Sequence, residues 1–142
     1  MHVFLITQYF HPEIGAAASR WGDYVKLLTE KGHKVTVLCE MPNYPQGKLF
    51  DGYKNEWFKK EIVSNNLIII RTGVWANNRK SKLKLLGNYL SFALTGLINS
   101  FKIKNYDLII VSSPPLFVGI IAIVLKRIKK CSILLDLRDI WP

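Results

Sequence analysis

Several features are scarce in this chain of 142 residues, and each scarcity excludes something. Cysteine occurs twice, at Cys39 and Cys131, each at the end of an apolar run and far from the other in sequence. Two residues do not make a disulfide framework, and a pair of buried thiols in a reducing compartment is the favoured reading. No basic segment precedes the short apolar run at the start, so no signal peptide is expected. The longest uninterrupted apolar run elsewhere, residues 116–125, is about half of what a membrane span needs. Neither a G-x-G-x-x-G fingerprint nor a Walker lysine motif is present, which argues against a dehydrogenase or a P-loop NTPase. No Cys/His cluster has metal-ligand spacing, so neither a metal site nor any cofactor is implied. Internal repeats and low-complexity tracts are missing as well. Acidic residues are scarce in one window only: residues 62–135 carry eleven Lys and Arg against the single acid Asp107, while the rest of the chain balances.

That window holds the whole net charge of +10. A charge polarised in this way implies that one side of the protein meets phospholipid, a pyrophosphate or nucleic acid, or else that a basic face is simply solvated. Nucleic acid fits least, because few stacking aromatics lie among the basic residues. With 49% hydrophobic residues and 12% aromatics, the length suffices for one core and not for two full domains.

The chain opens on His2-Val3-Phe4-Leu5-Ile6-Thr7, a continuous apolar run that reads as a strand covered on both faces. It breaks at Tyr9 to Gly15. A helix over 16–31 follows, with Ala17, Trp21, Tyr24, Val25 and Leu28 on one face and Gly32 just past its end. Val35 to Cys39 reads as a second buried strand. Residues 40–60 form a long irregular connection with two prolines, two glycines and five aromatics, a length that in compact domains tends to be functional. Residues 61–71 read as a hairpin turning at Ser64-Asn65-Asn66.

Residues 82–104 form a helix with Leu83, Leu86, Leu90, Ala93, Leu94, Leu97 and Phe101 as its core face. Leu85, Tyr89, Phe92 and Ile98 widen the apolar surface, and only Lys84, Asn88, Ser91, Thr95, Asn99 and Lys102 form a polar stripe. Such a helix is deeply buried or lies against lipid or another chain. Asp107 to Val111 is a third buried strand. Ser113-Pro114 gives a helix-start signal, and a helix follows over 116–128. Residues 132–136 form a fourth buried strand. The alternation predicts an α/β fold: a Rossmann-like, mostly parallel sheet with helices on both faces and one inserted hairpin. Ligands of such sheets sit beyond the carboxyl ends of the strands, where the loops at 8–15, 112–115 and 136–142 converge.

Gly15, followed by Ala16-Ala17-Ala18, allows close approach to a helix N-terminus, whose free N–H groups favour phosphate. Arg20, one turn further on, reaches either an anion or Asp23. At the end of the last strand Asp136, Arg138 and Asp139 stand within four residues. A carboxylate there can orient a sugar hydroxyl or act in proton transfer, and Arg138 can equally hold the aspartates in a structural ion pair.

Together the segments resemble a known family. They are Tyr-Phe-His-Pro-Glu-Ile-Gly (9–15), Lys-Gly-His-Lys-Val-Thr-Val-Leu (31–38), Pro-Asn-Tyr-Pro-Gln-Gly (42–47), Gly-Tyr-Lys-Asn (52–55), Asn-Tyr-Leu-Ser-Phe-Ala (88–93), Ser-Ser-Pro-Pro-Leu-Phe-Val-Gly (112–119) and Asp-Leu-Arg-Asp-Ile-Trp-Pro (136–142). In order and spacing these resemble the N-terminal domain of a family 4 glycosyltransferase of the GT-B fold, from the subgroup that builds bacterial surface polysaccharides. The resemblance implies a retaining enzyme that moves a sugar from a nucleotide-sugar donor to a lipid-diphosphate-linked saccharide at the cytoplasmic membrane face. It implies that Gly15 and Ala16 approach the donor phosphates, although relatives often show paired glycines where this chain has Gly-Ala; Arg20, one turn on, is placed beside them as a candidate for the same phosphates. It places Asp139 and Arg138 near the reacting centre, with His11, Ser113, Pro114 and Asp136 lining the acceptor cleft. It also implies that residues 1–142 are the acceptor-side part of a longer enzyme, inactive alone, whose donor domain lies outside this sequence. The competing hypothesis is a non-catalytic Rossmann-like module that binds an anionic ligand or a membrane surface. The resemblance and the basic window together lead us to expect a cytoplasmic protein associated peripherally with an anionic membrane.

Overall fold

The computed structural model describes residues 1–78, 80–113, 116–129 and 131–137. They form β1 (His2–Ile6), α1 (Ala16–Glu30), β2 (Lys34–Glu40), β3 (Phe58–Ser64), β4 (Leu67–Thr72), α2 (Lys82–Ser100), β5 (Leu108–Ser113), α3 (Val118–Lys129) and β6 (Ser132–Leu137). The strands make one six-stranded sheet in the order β3-β4-β2-β1-β5-β6. All neighbours pair in parallel except β3, which runs antiparallel to β4 through the turn at Asn65 and Asn66. The expected α/β, Rossmann-like architecture is therefore present. The irregular connection is shorter than expected, because Glu40 still belongs to β2 and β3 starts at Phe58.

Alternate side chains of the central strands feed two separate cores, as strand pleating requires. Phe4, Ile6, Leu38, Ile109 and Val111 face α2 and α3, where they meet Phe92, Val118, Ile121 and Leu125. Val3, Leu5, Val35, Val37 and Cys39 face α1, where they meet Trp21 and Val25. Helix α1 ends as the sequence indicates: Gly32 takes φ +81°, and the His33 N–H donates to the Leu28 carbonyl at 3.0 Å. Tyr24, expected on the inner face of α1, is instead half exposed.

Helix α2 departs most from expectation. Ser81 caps it by accepting a hydrogen bond from the Lys84 N–H at 3.2 Å. Its buried side, however, is Asn88, Phe92, Ala93, Thr95, Gly96, Asn99 and Ser100. Leu83, Leu86, Leu90, Leu94 and Phe101, expected in the core, are exposed, with Leu83 at 79% and Leu94 at 60%. The middle of the expected polar stripe, Asn88, Thr95 and Asn99, thus faces inward, while Lys84 and Lys102 at its ends stay exposed. Its members find partners there: the Asn99 Nδ2 donates to the Trp57 carbonyl at 2.8 Å, and the Thr95 hydroxyl lies 2.7 Å from the Gly73 carbonyl. Gly96 brings α2 close to α3, since a Cβ at that position would lie 3.0 Å from the Ile121 Cδ1.

Two further expectations need correction. Among the described residues β6 pairs only with β5, and Leu134, Leu135 and Leu137 are about half exposed, so there it is an edge strand and not a buried one. Cys39 is fully buried, but Cys131 is only half-buried; both thiols are free. The Arg71 guanidinium, itself buried, lies 3.4 Å from the Cys39 sulfur. Burial outweighs that cation and pushes the thiol up to about 12, so Cys39 is an unreactive core residue.

The orientation of α2 makes a direct prediction. Phe92→Ala should cost about 3–5 kcal/mol in urea unfolding, whereas Leu90→Ala should cost less than about 1 kcal/mol. The reverse order would mean that α2 is turned the other way.

Candidate functional site

The carboxyl ends of β1, β2, β4, β5 and β6 share one rim, because these five strands are parallel. From β1 the chain crosses to β2 on one side, and from β5 it crosses to β6 on the other. The crevice of such a sheet lies at that reversal, between the ends of β1 and β5.

The wall nearest β1 is built on buried polar side chains. The Gln8 Nε2 donates to a Glu40 carboxylate oxygen at 2.7 Å and to the Asn88 Oδ1 at 2.8 Å, joining the β1 loop to β2 and α2. The Asn43 Nδ2 donates to the other Glu40 oxygen at 2.6 Å. The Glu13 carboxylate accepts from the backbone N–H groups of Asn43 and Tyr44, both at 2.9 Å, and of Phe10 at 3.2 Å. Gln8, Glu13, Glu40, Asn43 and Asn88 are all essentially inaccessible to solvent. Two buried carboxylates therefore hold the loops at 7–15 and 41–47 in one arrangement, the first through main-chain amides and the second through side-chain amides. Gly47 fixes the same region from the other side: its φ is +70°, and a Cβ would lie 1.6 Å from the Asn77 carbonyl oxygen.

Gly15 is the N-cap of α1 and offers no side-chain cap, and no acidic residue occupies the first turn. The first N–H groups of α1 therefore receive no carboxylate from the helix's own cap or first turn. Gly15 faces the Tyr44 ring, which a Cβ would meet at 3.4 Å, and Tyr44 pairs with Tyr9 at 5.0 Å between ring centroids. Its φ of 172° is extended backbone, so the position does not demand glycine for conformational reasons.

The carboxylate that Arg20 meets is not Asp23. Arg20 forms a salt bridge with Asp136 at the end of β6, with a second contact of 3.3 Å from Nη1 to Oδ1. The guanidinium also lies over the Trp21 ring at 5.1 Å. Asp136 is thus fixed by α1, across 116 positions of sequence. These residues open onto a groove of about 310 Å³ beside α1, lined further by Tyr24, Leu27, Ile110 and Leu134. Ser113, at the end of β5, is buried, and its hydroxyl has no hydrogen-bond partner among the described residues.

His11 sits elsewhere. Its ring lies against α1 at Gly22, where a Cβ would be 2.1 Å from the Nε2, and its carbonyl accepts from Arg71. Arg138, Asp139 and Pro114 lie outside the described residues. Among the described residues, no group of three His, Cys, Asp or Glu could hold a metal ion.

The buried frame of Gln8, Glu13, Glu40, Asn43 and Asn88 was not singled out by sequence reasoning. A usable signal exists for Glu40, a lone acid closing an apolar strand, and for Glu13, inside a Pro-bearing loop between two hydrophobic elements. No protein-family model matches the chain, and no curated protein matches it significantly.

The frame can be tested by stability. Glu13→Ala leaves three main-chain amides without their carboxylate and should cost about 2–4 kcal/mol. Asp136→Asn should cost less than about 1 kcal/mol, because the Arg20 and Asp136 side chains keep 32% and 22% of their exposure. Equal effects in chemical unfolding would refute this ranking.

Proposed function

We propose that this chain is the acceptor-side domain of a retaining glycosyltransferase that moves a sugar from a nucleotide-sugar donor to a lipid-diphosphate-linked saccharide. The observation that carries the reading is the meeting of an uncapped helix N-terminus and a fixed carboxylate, bridged by Arg20, at the rim of a doubly wound sheet. What supports it further is that two of the resembling segments, 9–15 and 42–47, follow the carboxyl ends of β1 and β2, and that the segments starting at 112 and 136 begin in the last residues of β5 and β6. In this reading the first-turn amides of α1 meet a diphosphate, whose negative charge suits the N–H groups at a helix start. Asp136, with Arg20 holding it, orients a saccharide hydroxyl. Asp139 and Arg138 act at the reacting centre, where the acceptor hydroxyl must lose its proton as the new glycosidic bond forms and the bond to the nucleotide diphosphate breaks. The nucleotide itself is gripped by a second domain, and the product feeds cell-surface polysaccharide assembly.

The 142-residue chain is suited to an NMR titration with a short-prenyl diphosphate-linked N-acetylhexosamine. Amides of Ala16, Ala17 and Ala18 should shift on binding, and Asp136→Asn should weaken binding about tenfold, the loss of roughly one charge-assisted hydrogen bond. In the two-domain enzyme Asp139→Asn should lower turnover by about 100-fold or more while donor binding persists. An unchanged rate removes Asp139 from the reacting centre. Binding at the α1 amides with no transfer by the two-domain protein would favour the non-catalytic module.

A further inference from the structure

Helices α2 and α3 pack side by side on the same face of the sheet, so their outer sides look the same way. On α2 that side carries Leu83, Leu90, Leu94 and Ile98; on α3 it carries Ile120 and Ile123. Single exposed leucines need no explanation, but a continuous apolar face over two helices does. At the start of α2 the face is extended by Trp75, which is 55% exposed and lies over Gly87, where a Cβ would fall 2.2 Å from the indole. Tryptophan with one wet edge beside an apolar surface is the usual anchor at a membrane–water interface.

The charges around this face have one sign. Lys82 and Lys84 stand exposed at the start of α2, and Lys126, Arg127 and Lys129 at the end of α3, while neither helix contains an Asp or Glu. On the α2 helical wheel, Lys82 and Lys84 fall on the two flanks of the leucine stripe, where long side chains can lift their ammonium groups to a headgroup layer. We infer that the outer face of α2 and α3 is a docking surface for an anionic phospholipid membrane, with the leucine and isoleucine stripe in the acyl boundary and the five cations at the phosphates. A second copy of this chain fits less well, since pairing this face with itself sets cations against cations with no acid between them. Nucleic acid would meet a mostly aliphatic surface with two exposed rings, Trp75 and Phe101, at its opposite ends and none between them to stack on. No helix among the described residues is long and apolar enough to cross a bilayer, so the contact is a surface contact. The inference does not depend on the transferase reading.

The test is co-sedimentation with vesicles of phosphatidylglycerol and phosphatidylcholine, against vesicles of phosphatidylcholine alone, with analytical ultracentrifugation of the lipid-free chain. The chain should be monomeric and should partition onto the anionic vesicles, less so at high salt, with a blue shift of tryptophan emission that Trp75→Phe diminishes. The double variant Leu90→Gln, Leu94→Gln should keep its unfolding midpoint and lose about tenfold or more in partitioning. Lys126→Glu with Arg127→Glu should lose a similar factor of about ten on anionic vesicles and change nothing on neutral ones. Absence of binding to anionic vesicles at low salt would overturn the inference. So would wild-type partitioning by both variants, or a lipid-free dimer that the leucine substitutions dissociate.

Discussion

The orientation of α2 depends on hydrogen bonds, and much of the structure depends on that orientation. A buried amide or hydroxyl without a partner is costly, and α2 carries three such side chains on one side: Asn88, Thr95 and Asn99. Each finds its partner in a different connection on the sheet. Asn88 meets Gln8 of the β1 loop, Thr95 meets the Gly73 carbonyl after β4, and Asn99 meets the Trp57 carbonyl before β3. Turning the helix to bury its leucines would strand all three groups and detach three loops. Phe92 and Ala93, between the polar positions, are enough to seal the core beneath. The leucines are left facing outward as a consequence.

The same economy of partners shapes the rim. Glu13 and Glu40 are buried acids that accept hydrogen bonds from amides: main-chain N–H groups of the 7–15 and 41–47 loops for one, Gln8 and Asn43 side chains for the other. An arrangement of this kind fixes loop positions. Arg20 is spent on Asp136, and Arg71 on Glu61 and the His11 carbonyl. The remaining basic residues of α2 and α3 stay at the surface, around an apolar face. The rim and that face are distinct parts of the molecule, joined through Asn88.

How much of this could be read from the sequence follows from the range of the interactions. The strands β1, β2 and β5 were legible because each is a nearly continuous apolar run, and a sheet with covered faces needs such runs. The hairpin was legible from two asparagines between β-rich segments, and the end of α1 from Gly32. The position of Gly15 and Ala16 at a helix start followed from the same local signals. The face of α2 was not legible: periodicity locates a stripe but does not say which side is inward when the polar stripe has partners waiting on loops far away in sequence. Asp136 was singled out for its place at a strand end, yet its partner is Arg20, 116 positions earlier, and no local pattern announces that pair. β6 reads as buried from composition and is exposed because nothing among the described residues pairs with its outer edge.

The inward placement of the polar side of α2 is the claim on which the cores, the rim and the outer apolar face all depend. Single cysteines placed along α2 in a Cys131→Ser background, labelled with a maleimide in the folded chain, measure it residue by residue. Rapid labelling at positions 83, 90, 94 and 98 with protection at 88, 92, 95 and 99 is the predicted pattern. Protection at the leucine positions with labelling at the asparagines would contradict the account.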